Sequence, residues 1–252
     1  MALRPGASYT PWLKNATAVV DGPVRLHLHA RGTISNLILE PQPALAQLEE
    51  GELLISVRAV GLNFRDVLNV LGEYPGDPGP PGGDTAGVIT TTPGDDPQAA
   101  RAAFGLAGAP LAHIARAYQP LIVLKPDKVG FEQASTLPVT WSTTHAAMER
   151  AALRARRSMI VHAAAGGVGL KAVEYAQWLG ATAIGTAGQP HKHAPLRLLG
   201  VGSSCSSRDG GAFAVGAAGW LAAARFAAVL NSLSLDFVAV SFASLGESGT
   251  LC

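Results

Sequence analysis

The stretch S-M-I-V-H-A-A-A-G-G-V-G-L, Ser158 to Leu170, decides how the rest of this 252-residue chain is read. Ser158 to Val161 is a short apolar run suited to a buried parallel strand. Gly166, Gly167 and Gly169 supply a tight turn, and Leu170 to Leu179 carries the apolar period of a helix. A dinucleotide site needs this order, because the backbone must turn sharply and approach a pyrophosphate with no Cβ in the way. The phosphates then rest on the N–H groups and positive dipole of the helix N-terminus. Any close strand-to-helix connection favours glycine, which is the plainer reading of the turn. The flanking strand, the helix and a second apolar run, Thr182 to Thr186, favour the cofactor site.

The end of that second run bears on which nucleotide binds. An NAD site usually places Asp or Glu about 20 residues after the glycines, to hold both ribose hydroxyls. Here the chain reads G-T-A-G-Q-P-H-K-H, Gly185 to His193, with no carboxylate and with Lys192 between two histidines. That pattern predicts NADPH, with Lys192 beside the 2′-phosphate and Arg208 as a second cation. The plainer reading of Lys192 is a solvated surface charge.

Working outward, 48% hydrophobic residues suffice for two modest cores, while 15% charged residues and a net charge of +1 create no field for nucleic acid or an anionic membrane. Small polar or thioester substrates fit better. Cys205 and Cys252 have no metal spacing, which suits a reduced, cytoplasmic setting. The N-terminus lacks the apolar core of a signal peptide. Ala212 to Leu230, the longest apolar region, is interrupted by Arg225 and glycines, and reads as an alanine-rich helix followed by a buried strand rather than a membrane span.

Residues 1–20 read as a linker. From Val24, the apolar residues Val24, Leu26 and Leu28 alternate with Arg25, His27 and His29 as in a half-buried strand. His27 and His29 lie on one face; with no third ligand nearby in sequence, an exposed polar face is favoured over a metal site. Leu37 to Leu39 and Leu53 to Val60 are further strands. Leu62 to Leu68 has a helical period, and Tyr74 to Gly83 is a Pro/Gly loop. Short strands punctuated by Gly and Pro predict a small barrel-like unit over residues 21–126. Helix and strand alternate after Phe131, which predicts an α/β unit over 127–252. Ala99 to Tyr118 does not fit: its alanines favour helix where a β unit would continue with strands.

Five ordered motifs, L-N-F-R-D-V-L (Leu62 to Leu68), G-G-D-T-A-G-V (Gly82 to Val88), L-P-V-T-W-S-T-T-H-A-A-M (Leu137 to Met148), V-H-A-A-A-G-G-V-G and V-L-N-S-L (Val229 to Leu233), resemble the enoyl reductase domain of modular type I polyketide and fatty acid synthases. That domain lies within the zinc-independent, quinone-oxidoreductase-like branch of the medium-chain dehydrogenase/reductases. The resemblance covers Val24 to the C-terminus except Ala99 to Tyr118. It implies a GroES-like barrel followed by a Rossmann-type doubly wound parallel sheet, with the active site between them. The implied reaction is NADPH-dependent reduction of an enoyl thioester on an acyl carrier protein, beside neighbouring synthase domains.

Residue by residue, the resemblance implies that Gly166, Gly167, Val168 and Gly169 frame the phosphate turn and that Lys192 serves the cofactor. It places Asn63 and Thr143 near the nicotinamide and Asn231 at the cleft edge; each of these three has a plainer reading as a cap or turn residue. Asn63 and Gly83 stand where zinc-dependent relatives carry Cys and His, so the usual tetrahedral metal site is not expected. For the proton that completes the reduction, His145 stands where a Tyr often occurs, and Lys192 matches the family lysine; water is the third donor, and Asp209 a loose acidic partner. Two alternatives stay open: a free quinone or enone reductase, and an inactive, truncated module. The second half of the doubly wound sheet is expected to be cut short, with Asp236 to Leu245 a helix and Gly249 to Cys252 opening a strand. On that expectation the isolated chain is poorly soluble and barely active.

Overall fold

The computed structural model describes residues 22–91, 100–221, 225–233 and 235–252. The linker reading of residues 1–20 lies outside them. The described chain opens with strands β1 (Val24–Leu28) and β2 (Leu37–Pro41), which pair antiparallel as a two-stranded sheet. The second edge of β1 meets the loop around Leu111, whose carbonyl accepts the Leu26 N–H at 2.7 Å. The clean burial alternation expected of β1 is absent. Leu26 and Leu39 are 36% and 53% exposed, because they face an open groove against Val57, Val60 and Leu111 instead of closing on it.

A closed barrel follows, made from β3 (Glu52–Gly61), β4 (Asp84–Thr91), β5 (Ala102–Gly108) and β6 (Ile114–Leu124). Its interior is filled by Leu53, Ile55, Ile89, Ala103, Ala117 and Ile122. The expected helix over Ala99 to Tyr118 is therefore corrected to two strands. Burial there alternates with period two, and Ala103, Ala115 and Ala117 point inward at 0%, 1% and 3% exposure. In a barrel this narrow, alanine is selected by the space available to it, which overrides its helix propensity. A side chain at Gly105 would collide with the Leu121 carbonyl of the next strand.

Helix α1 (Phe64–Leu71) connects β3 to β4 and ends on Gly72 in the left-handed region at φ 77°. Its buried residues are Asp66, Asn69 and Val70, while Phe64 and Val67 face outward at 75% and 45% exposure. The apolar period read in Leu62 to Leu68 thus points largely to solvent.

Beyond the barrel, α2 (Phe131–Ala134) and α3 (Pro138–Arg150) lead into β7 (Ser158–Val161), α4 (Gly167–Trp178) and β8 (Thr182–Ala187). Then come α5 (His193–Leu198), β9 (Ser204–Ser206), α6 (Gly210–Leu221), β10 (Phe226–Leu230), α7 (Leu235–Ser244) and β11 (Leu245–Leu251). The five strands form a parallel sheet in the order β11-β10-β7-β8-β9. Met159 and Val161 pack on one face with Ala172, Val173 and Leu196; Ile160 packs on the other with Phe213, Phe226 and Phe237. Burial on both faces explains why β7 reads as a continuous apolar run. Chain order reverses between β7 and β10, so the crevice for a dinucleotide opens at their C-terminal ends. The architecture is a GroES-like barrel followed by a Rossmann-type sheet.

Candidate active site

The glycine turn sits at that crevice. Ala163 takes a positive φ of 47°, and its N–H donates to Thr186 Oγ1 at 3.1 Å; the Ala164 N–H donates to the Thr186 carbonyl at 2.8 Å. The turn is thereby fastened to the end of β8. A Cβ on Gly169 would strike the Ala163 carbonyl and the Ala164 backbone, and one on Gly167 would press Thr140 Cγ2 at 3.2 Å. These glycines let α4 begin directly beneath the strand, where its first-turn N–H groups lack intrahelical partners. The donor set and the bare backbone fit a pyrophosphate.

His162, which the sequence reading did not single out, holds this turn from behind. It is 2% exposed and lies edge-on to Phe213 and Phe237 at 4.8 and 5.5 Å. Its Nε2 is 2.9 Å from Ser241 Oγ on α7, and its Nδ1 is 3.2 Å from Thr186 Oγ1. Ser241 already donates to the Phe237 carbonyl at 2.6 Å, and Thr186 Oγ1 already accepts from Ala163. Each hydroxyl has one proton, so Nε2 carries the imidazole hydrogen and Nδ1 accepts from Thr186. Burial pushes the His162 pKa down to about 4, so the ring is neutral near pH 7. A histidine inside an otherwise apolar strand-to-turn run was the signal for it in the sequence.

Both expected cations lie in the chain beyond the end of β8. The Arg208 side chain lies over Gly188, where an added Cβ would meet Nε at 2.9 Å. Lys192 closes the 3-10 turn that follows β8 and is exposed, as is Arg208. Neither side chain has an ion-pair or hydrogen-bond partner among the described residues. Asp209 is committed elsewhere: its Oδ1 accepts the Ala212 N–H at 2.9 Å and caps α6. Asn231 leaves the end of β10 beside the crevice, its Oδ1 accepting the Leu233 N–H at 3.1 Å in a local turn.

From the barrel side, Asn63 begins α1, and its amide Nδ2 donates to Asp84 Oδ2 at 3.0 Å. The other oxygen of Asp84 accepts the Val139 N–H at the start of α3, also at 3.0 Å. Asp84 is 1% exposed, and burial pushes its carboxyl above the usual value, opposed by the Asn63 and Val139 donors. A Cβ on Gly61 would collide with the Ser135 carbonyl, so the barrel and the α/β unit meet here backbone to backbone. Leu62 and Phe64 flank Asn63 at 66% and 75% exposure.

Helix α3 separates two of the expected site residues. Thr140 and Thr144 face the glycine turn, Thr144 Oγ1 reaching toward the Val168 carbonyl at 3.5 Å. Thr143 lies one turn beyond Val139. Two residues of helix rotate about 200°, which puts His145 on nearly the opposite side of α3 from Thr143. There its Nδ1 is 3.2 Å from Tyr175 Oη on α4, and its Nε2 is 3.7 Å from Glu149. Trp141 meets the same tyrosine edge-on at 5.8 Å, and Trp178 packs tilted against it at 5.4 Å.

No protein-family model matches the chain. The Spectinabilin polyketide synthase system protein NorB of Streptomyces orinoci is 44% identical over 185 residues, 71% of this chain and 8% of that protein. The crystal structure of the CurK enoyl reductase superposes with a TM-score of 0.83 at 33% identity, over 92% of this chain and 73% of that one. The mycobacterial Rv1454c structure complexed with NADPH superposes with a TM-score of 0.79 at 27% identity, over 91% and 72% of the respective chains. The chain thus spans a small part of the multidomain synthases it resembles and about three quarters of the solved reductases. Among the described residues no helix is long and apolar enough to cross a membrane.

Proposed function

Since the chain belongs to the enoyl reductase family of the medium-chain dehydrogenase/reductase fold, we propose that it carries out the NADPH-dependent reduction of the carbon–carbon double bond of an enoyl thioester. The substrate is presented on an acyl carrier protein beside other domains of a cytoplasmic synthase. The observation that supports this reading is the β7/β10 reversal, with the glycine turn following β7 and the Arg208 side chain lying over Gly188 just beyond β8.

In this reading the first turn of α4 holds the pyrophosphate, and Arg208 with Lys192 holds the 2′-phosphate. Thr143 and Asn63 flank the nicotinamide end, and Asn231 borders the crevice. NADPH, when bound, supplies the hydride for the β-carbon. The thioester carbonyl stabilises the resulting enolate with hydrogen-bond help from the site. Asn63 and Gly83 provide no zinc ligand set, and the Asn63 amide is engaged by Asp84. Exposed Leu62 and Phe64 beside Asn63 offer an apolar surface to the acyl chain. Of the two donor side chains the resemblance offers, His145 faces α4 and Lys192 is taken by phosphate. The α-carbon proton therefore comes from water in the cleft.

Titrating NADPH and NADH into wild type, Lys192→Ala and Arg208→Ala tests the cofactor. Each variant is expected to lose about 1.5–3 kcal/mol of NADPH affinity and to leave NADH unchanged; equal binding of both cofactors by wild type refutes the assignment. Turnover on an enoyl-carrier thioester but not on quinones separates this reading from a free quinone reductase, and activity is expected to survive chelator. His145→Phe should leave turnover within about threefold. A drop of roughly 10²–10⁴-fold would return the donor role to the imidazole.

A further inference from the structure

The two-stranded sheet carries a cluster that the proposed reaction does not use. In the register of β1 and β2, Arg25 pairs with Glu40 and His27 with Ile38, so Arg25, His27 and His29 run along the side of β1 that Glu40 shares. One ligand atom from each of His27, His29 and Glu40 can be chosen so that all three lie within 4.8 Å of one another. The third ligand missing from the local sequence is supplied by the neighbouring strand.

The geometry around the carboxylate is divided between its two oxygens. Arg25 grips Oε1 through Nε at 2.8 Å and Nη2 at 2.7 Å, while Oε2 is turned to His29 Nε2 at 3.3 Å. Two ligands of a tetrahedral ion bound at about 2.0 Å stand about 3.3 Å apart, so this pair is already at ligand spacing. A ligating carboxylate whose other oxygen is hydrogen-bonded is a common support for a metal site, and Arg25 is placed to give it. The His27 ring has no hydrogen-bond partner among the described residues and meets the His29 ring edge-on at 4.9 Å. An Arg–Glu ion pair accounts for Arg25 and Glu40, but not for two imidazoles gathered within 4.8 Å of the carboxylate.

We propose that His27, His29 and Glu40 bind one divalent transition cation of the zinc class, tying β1 to β2. Two imidazoles and a carboxylate suit Zn²⁺, Cu²⁺ or Ni²⁺, whereas Mg²⁺ and Ca²⁺ take oxygen sets. The His29 side chain is 51% exposed, which leaves an open side for water as a fourth ligand. A sheet of two strands is marginal in water by itself, so a clasp across it has a structural use. The site is independent of the reaction proposed above, and its readout is metal affinity.

The test is titration of the full chain, stripped with chelator and dialysed, with ZnCl₂ near pH 7.5, followed by calorimetry. One equivalent is expected to bind, and His27→Gln, His29→Gln and Glu40→Gln are each expected to weaken it by at least about tenfold. A His191→Gln/His193→Gln double variant controls for the two histidines after β8, of which His191 is exposed and His193 half-buried against Ser204, and should bind as wild type does. If a cluster variant unfolds, Cu²⁺ bound to the wild-type chain and read by electron paramagnetic resonance supplies the answer, with coupling to two nitrogens expected. Binding that the cluster variants leave unchanged, binding lost in the His191/His193 control, or a copper spectrum without nitrogen coupling overturns the proposal.

Discussion

Two buried ionisable groups stand on opposite sides of the cleft, Asp84 at the barrel end and His162 under the glycine turn, and they solve burial differently. His162 is enclosed by aromatic rings and stays neutral, in a chain of hydrogen bonds whose direction is set by the Phe237 carbonyl at one end and the Ala163 N–H at the other. Asp84 is held by two donors, an amide from Asn63 and a backbone N–H from α3, which favour its charge against the desolvation that opposes it. The imidazole shapes the glycine turn, and the carboxylate joins two structural units. The contrast teaches that one cleft can combine an imidazole network for positioning with a carboxyl network for assembly.

The strongest way to break the comparison is to remove each group. His162→Ala empties an aromatic-lined site and strips Thr186 and Ser241 of a partner, at an expected cost of about 3 kcal/mol in urea unfolding and with NADPH affinity reduced. Retained stability together with unchanged NADPH binding would show that the turn does not depend on the imidazole.

Acid sharpens it next. Because the folded pKa of His162 is about 4 against an ordinary 6.5, the unfolded chain takes up the proton first as pH falls. The His162 contribution is therefore complete above about pH 6.5 and declines toward pH 4, by up to roughly 3 kcal/mol. Asp84 acts with the opposite sign: its raised pKa favours the fold at low pH, and that contribution is lost as pH rises through the folded value. His162→Gln should flatten the decline between pH 6.5 and 4 in thermal melts. An unaltered slope would assign the decline to other groups.

Asp84→Ala is the smaller perturbation. It leaves the Val139 N–H and the Asn63 amide without an acceptor, with an expected cost of about 2 kcal/mol. KM for the thioester should rise, and NADPH affinity should fall by less than in Lys192→Ala, since Asn63 at the nicotinamide end loses its anchor. Loss of cofactor binding instead would mean that the junction also shapes the nucleotide crevice.

The regions that read well from sequence share a physical property: their partners are close along the chain. Glycines between an apolar strand and a helix, the run Thr182 to Thr186, and the apolar stretch ending at Leu230 all became elements near the expected positions. The barrel strands over Ala102 to Leu124 were obscured because alanine and glycine carry propensity but no visible periodic contrast. Their alternation appears only when the opposing strands limit the space. The expected site residues divide the same way. The turn Gly166 to Gly169 could be read locally, whereas the packing of His145 against Tyr175 depended on which side of α3 meets α4.

By itself the sequence determined the strand–glycine–helix turn, the absence of a carboxylate after β8 and the lack of Cys or His at positions 63 and 83, since each depends on residue identity over short spans. Only the tertiary structure decided that Arg208 lies over Gly188, that Glu40 joins His27 and His29, that Asp84 binds Asn63 to α3, and that His145 turns toward Tyr175. Those pairings rest on strand register and helix rotation, where a shift of one residue sends a side chain to another face.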